Sequence, residues 1–250
     1  MVETFITFCE RKNLAKSTID AYKNILLNIL SVETNKHLAI MKIITNQQLK
    51  ANTQRLYRQV YALYLKFSNQ KKNYKDIAVL KVKPVQSIYR PVLTKAQVYR
   101  RTNIMHKDKP KVVFYKLLIR FMFETGIRIG ELKTINEEDD KRIYVNGKGN
   151  KDRQVFYNAE TYENLKMFKD KIKTVSYITV SKAIKHFLGN EYSPHSLRRS
   201  FASFMLKKGA LPKMVQRQMG HSSIATTFAY QQLDENENYR IYRKIMLNSK

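Results

Sequence analysis

The stretch SPHSLRRSFASFMLKKGALPKMVQRQMGHSSIATTFAYQQ, residues 193–232, decides how the rest of the chain is read. Ser193-Pro194 has the form of a helix start, a capping hydroxyl followed by proline at the first helical position, and Gly209 reads as the stop. Inside that helix His195 and Arg198 are three residues apart and so share a face. Gly220-His221 follows, and nine residues later Tyr230, in a segment otherwise small and apolar (Ile224, Ala225, Phe228, Ala229). A cation, two imidazoles and a phenol are what a protein needs to attack a phosphodiester without a metal.

Upstream, Lys111–Thr125 (KVVFYKLLIRFMFET) is apolar nearly all round, which predicts a central buried helix with Gly126 as its C-cap. Arg128 then sits between Ile127 and Ile129, where a guanidinium requires an anion, either a carboxylate or a phosphate. Glu131 is one helical turn on and can supply the carboxylate; a purely structural Arg–Glu pair reads equally well at this point. Residues 142–157 (RIYVNGKGNKDRQVFY) alternate like two strands around a Gly147–Asn150 turn that carries Lys148 at its tip. A lysine there is either solvated and idle or placed to enter a DNA groove and deliver a proton. Residues 158–171 and 175–188 read as helices, and 234–250 as one more.

The first part of the chain reads as a four-helix bundle: residues 2–12, a helix capped by Ser17, an apolar patch from His37 to Leu49, and a helix opened by Asn52-Thr53. The last of these is expected to stack Leu56, Val60, Leu63, Tyr64 and Phe67 on one face. Residues 81–93 (KVKPVQSIYRPVL) break the periodicity with two prolines and read as a linker. Thr94-x-x-Gln97 has the pattern of a capping box that opens a second domain. The expected division is 1–83, a linker at 84–93, and 94–250.

Lys and Arg number 47 against 20 Asp and Glu, a formal charge of +27 over 250 residues. Such a field favours a polyanion, nucleic acid first, although a lysine-rich proteome would give the same bias. Both parts are basic. Cys9 is the single cysteine, which excludes an internal disulfide and a cysteine metal cluster. No signal-peptide pattern and no apolar run of about 18 residues is present, so a soluble, cytoplasmic protein without membrane contact is expected. His37, His106 and His186 have no partner pattern.

Five ordered pieces, TGIRIGEL (125–132), GKGNKDR (147–153), HSLRRSFA (195–202), MGHSS (219–223) and Tyr230, resemble the catalytic domain of the tyrosine recombinases, the phage-integrase and Xer class. The motifs span about 92–232; residues 1–83 match in helical character and position alone. Met219 and Arg199 depart from the residues usual at their places. The resemblance implies a mainly α fold: a SAM-like helical core-binding domain, then a mostly helical catalytic domain with a small antiparallel β-hairpin or sheet. It implies that Arg128 and Arg198 clamp the scissile phosphate, Tyr230 is the nucleophile, His195 takes its proton, and Lys148 protonates the leaving 5′-oxygen. His221 would hydrogen-bond the phosphate and Glu131 would orient the first arginine. Arg199 and Lys151 are the off-pattern rivals of Arg198 and Lys148.

A phosphotyrosine stores the bond energy, so the resemblance implies no metal, ATP or other cofactor. The partner it implies is double-stranded DNA with paired recombination sites, bound by a homotetramer tied together through the C-terminal helix. The need for a partner recombinase or directionality factor is left open. The chain starts almost at its first helix, which favours a simple recombinase without an arm-site domain. Alternatives are a type IB topoisomerase and a DNA-binding protein that does not cleave.

Overall fold

The computed structural model describes residues 1–31, 36–84, 91–137, 142–147, 151–221 and 243. It divides the chain into two compact units, Met1–Ile88 and Tyr89–Lys250. The turn residue Lys148, Tyr230 and the helix expected over 234–250 lie outside the described residues.

Among the described residues the first unit holds five helices rather than the four expected: α1 (Val2–Arg11), α2 (Lys16–Leu30), α3 (Lys36–Ile44), α4 (Ala51–Phe67) and α5 (Lys71–Val79). Helix α5 escapes a periodicity reading because only Ile77 of its KKNYKDIAV run is buried. Neither Ser17 nor Asn52-Thr53 caps a helix. The caps fall two residues earlier, at Ala15 and Lys50, with no side-chain cap bond. Water can serve first-turn N–H groups at such surface starts. Leu56 is 40% exposed, against the expected stack. The buried stripe of α4 runs instead through Val60, Tyr61, Tyr64 and Leu65, because Tyr64 meets the Phe5 ring edge-on at 5.6 Å. Phe5, Cys9, Leu26, Ile29, Ile40, Ile44 and Ile77 complete this core. His37 bridges helices: Nδ1 lies 3.2 Å from the Tyr61 hydroxyl and Nε2 3.4 Å from the Asp76 carboxylate.

The second unit begins with α6 (Lys95–Arg101), opened by the Thr94/Gln97 capping box with both of its hydrogen bonds formed. Leu93, just before it, is buried, and its N–H donates to Ser200 Oγ at 2.8 Å. Helix α7 (Pro110–Thr125) is the central buried helix that its apolar run predicts, and it ends at Gly126 in the left-handed region (φ 63°). A Cβ at Gly126 would stand 2.5 Å from the Phe201 ring, so glycine is required there on two counts.

A 3₁₀ turn (Ile129–Thr134) leads to a three-stranded antiparallel sheet of β1 (Asn136–Glu137), β2 (Arg142–Gly147) and β3 (Lys151–Phe156), in that spatial order. Arg142 pairs with Phe156 and Gly147 with Lys151. Ile143, Val145 and Val155 form its buried face, as the period of two dictates.

The single helix expected over 158–171 is two, α8 (Ala159–Lys166) and α9 (Lys169–Thr174). The break leaves Met167 73% exposed and lets Phe168 pack on the core against Phe114 at 5.5 Å. Helices α10 (Tyr177–Leu188), α11 (Pro194–Lys207) and α12 (Pro212–Met219) follow. Ser193 caps α11 with Pro194 in its first turn, as read from sequence, and Ser176 caps α10. The described residues are thus mainly helical with one small sheet. No helix among the described residues is long and apolar enough to cross a membrane.

Candidate active site

Three chain segments converge beyond the C-terminus of α7. The first is the Gly126 turn itself, which throws Arg128 out at the head of the 3₁₀ turn. Glu131 is 3% exposed and grips Arg128 twice: Oε2 accepts the backbone N–H at 2.7 Å, and Oε1 accepts Nη1–H at 2.8 Å. The carboxylate anticipated for Arg128 is therefore present. It does not use up the guanidinium, which stays about a third exposed.

The second segment is the first two turns of α11. His195 lies at the exposed N-terminal end and Arg198, one turn on, is 2% exposed. Arg198 donates Nη1–H to the Gly126 carbonyl and Nη2–H to the Met219 carbonyl, so it ties the ends of α7 and α12 together. The off-pattern rival Arg199 bonds Ser196 of its own helix at 3.3 Å.

The third is the end of α12, where Gly220 takes the left-handed conformation (φ 62°). His221 N–H then folds back onto the Gln216 carbonyl at 3.1 Å, and the Gly220 carbonyl accepts Arg128 Nη2–H at 3.0 Å. Burial, followed by the charges of Arg198, Arg128, His195 and Arg153, drives the His221 imidazole down to about 4. It is neutral at physiological pH and can offer a single N–H donor to an anion.

Arg128, Glu131, His195 and Arg198 line one cleft of about 490 Å³, together with Asn146, Gly147 and Tyr177. The structure brings these four predicted residues together and sets His221 beside them. Lys148 and Tyr230 lie outside the described residues, as does the side chain of the rival Lys151.

Two participants were missed in sequence. Arg153, with its side chain 11% exposed, donates Nη2–H to Glu131 Oε2 at 2.6 Å and Nη1–H to the Gln218 carbonyl. Gln218, 5% exposed, donates to the Thr125 and Phe156 carbonyls at 3.2 and 2.9 Å and accepts Phe156 N–H at 3.0 Å. A signal for Arg153 existed: strand alternation puts it on the same inward face as Val155, where a charge needs a partner. Burial pushes the Glu131 carboxyl up, but Arg153 and then Arg128 outweigh it and hold it below its ordinary value. Two guanidiniums thus bond one carboxylate.

Residues 91–237, more than half of the chain, match the phage integrase family. The chain belongs to that family, the tyrosine recombinases. Its curated relatives include tyrosine recombinase XerC of Caldanaerobacter subterraneus, 28% identical over 84% of this chain and 67% of that one. Tyrosine recombinase XerC of Vibrio cholerae is 30% identical over 54% of this chain and 52% of its own. The chain thus spans between half and two thirds of the length of these relatives. In fold, this tyrosine recombinase matches the Tn1549 transposon integrase solved in complex with transposon right end DNA. The TM-score is 0.72 at 17% identity, over 96% of this chain and 97% of that one.

Proposed function

We propose that the protein is a site-specific DNA recombinase that cuts and rejoins strands through a 3′-phosphotyrosine and a Holliday junction. The observation that carries this reading is the convergence of Arg128, His195 and Arg198 on one cleft whose only carboxylate among the described residues is Glu131. A surplus of fixed positive charge at a concave site is poised for an anion, and a phosphodiester fits it.

In this reading Arg128 and Arg198 hold the non-bridging oxygens and offset the charge that grows on them. The Tyr230 hydroxyl oxygen bonds to phosphorus as its proton passes to His195, since a phenol with an ordinary pKa of about 10 must lose it during attack. The 5′-oxygen leaves and takes a proton from Lys148. His221 donates a hydrogen bond to the phosphate. A 5′-hydroxyl from the exchanging strand then reverses each step, so neither ATP nor a metal enters. The net charge of +27 supplies attraction to the duplex. A tetramer on paired sites is the assembly this chemistry calls for.

Covalent capture tests the reading. The protein is mixed with fragmented DNA from its source, denatured, and the DNA that stays attached is sequenced, with Tyr230→Phe as control. Adducts at one inverted-repeat site that vanish in the control are the expected result. Adducts scattered along the DNA would indicate a topoisomerase. DNA binding with no adduct at all would sink the catalytic assignment.

A further inference from the structure

We propose that Arg153 is a positioning residue for strand cleavage, one that sets Arg128 and the Gly220–His221 corner by holding a partner of each at once. This rests on the recombinase reading above. Arg153 stands on the inward face of β3, paired with Val145 and one step from Val155. Its guanidinium reaches in two directions. Nη2–H goes to Glu131 Oε2 at 2.6 Å, and Nη1–H goes to the carbonyl of Gln218, two residues before Gly220. Glu131 in turn holds Arg128 through Oε1 at 2.8 Å, and Arg128 Nη2–H reaches the Gly220 carbonyl at 3.0 Å. The bonds therefore close a loop: Arg153, Glu131, Arg128, Gly220, Gln218 and back to Arg153. In a closed loop no member can swing without stretching two bonds, so the direction of Arg128 is fixed from both ends.

Two further observations place Arg153 in this role. A Cβ at Gly220 would lie 2.6 Å from Arg153 Cδ and 2.7 Å from Nε, so the α12 corner is packed directly on the arginine stem. The second is electrostatic. Glu131 already has a cation in Arg128, and a second arginine adds charge that a merely structural pair does not need. That excess is offset when a phosphate occupies the cleft. Arg153 itself is not among the residues that line the cleft, so it acts through Glu131 and Gln218.

The test uses the full chain and a nicked duplex that carries the site recovered by covalent capture, in single-turnover cleavage. Misplacing a reacting group by about 1 Å can cost on the order of 100-fold, and Arg153→Gln should slow cleavage by that order while duplex affinity holds. Arg153→Lys should stay folded, by its thermal unfolding midpoint, and still be slow, because an ammonium lacks the fork that reaches both partners. The double variant Arg153→Gln/Glu131→Gln should be no slower than the slower single, since both act through one loop. Wild-type cleavage by Arg153→Lys or by Arg153→Gln would overturn the inference, as would effects that multiply in the double variant. A wild-type chain that forms no adduct overturns the recombinase reading and this inference with it. An active wild type with unaffected variants overturns the inference alone.

Discussion

The two ends of α7 both bury charge, and they do it differently. Near its start Lys116, 7% exposed, meets Asp108 at 2.7 Å and the Asn103 carbonyl at 2.7 Å. There one cation bonds one carboxylate, and the hydrogen bond from Lys116, followed by one from the Met105 N–H, holds Asp108 below its ordinary value, with a smaller contribution from Lys107. Past its other end Glu131 bonds both Arg128 and Arg153, two guanidiniums on one carboxylate. Burial of a charged side chain is thus common to both ends and identifies neither as a site. The surplus does. A balanced pair closes a fold, whereas two cations on one carboxylate leave charge that a phosphate would offset.

One substitution at each end would break this comparison if it is wrong. Loss of a donor aimed at developing charge costs about 10²–10³ in rate, so Arg198→Lys should slow adduct formation by that factor. Lys116→Met should lower the thermal unfolding midpoint and leave the cleavage rate of the folded protein unchanged. Equal losses of rate and fold at both positions would mean that the two ends do not differ.

A substitution at the joint between α7 and the cluster comes next in size. Gly126→Ala forces an L side chain into the left-handed region and into the Phe201 ring, a cost of about 2–4 kcal/mol. Urea unfolding should show it as a lower midpoint at constant slope. A midpoint equal to wild type would mean that Phe201 gives way.

The gentlest probe is proton uptake. The His221 imidazole should titrate near 4 by NMR, against an ordinary value of about 6.5. Between those two values the unfolded chain binds a proton that the folded chain refuses, so stability rises with pH across that window and falls on acidification. A DNA duplex that carries the captured site brings a phosphate, which offsets the arginines and should move the titration upward. An unshifted histidine in the free protein would mean that it is less buried, and the arginines farther from it, than they are here.

The parts of the fold legible in sequence are those set by bonds three or four residues long. Thr94 with Gln97, Ser193 with Pro194, and Gly126 after an apolar run each declare a boundary because the partner is a near neighbour. The candidate site residues were legible for another reason, that His195, Arg198, His221 and Arg128 sit in recognisable local runs. What escaped is set at a distance. Arg153 meets Glu131 across 22 residues and the Gln218 carbonyl across 65. The face of α4 was misjudged because the ring of Phe5, from another helix, decides which turn is inside. Helix α5 has too little apolar surface to announce itself.

The pairing of β2 with β3 also sets where this chain can tolerate a change of length. Side chains alternate between faces along a strand, so one residue added between Lys151 and Arg153 would turn the guanidinium outward and present its neighbour to Glu131. One residue added between Gly147 and Lys151 leaves every described pair in register. Insertions and deletions should therefore be accommodated between those two positions and rejected within β3, so that the reach of the hairpin can be altered independently of the arginine loop at its base.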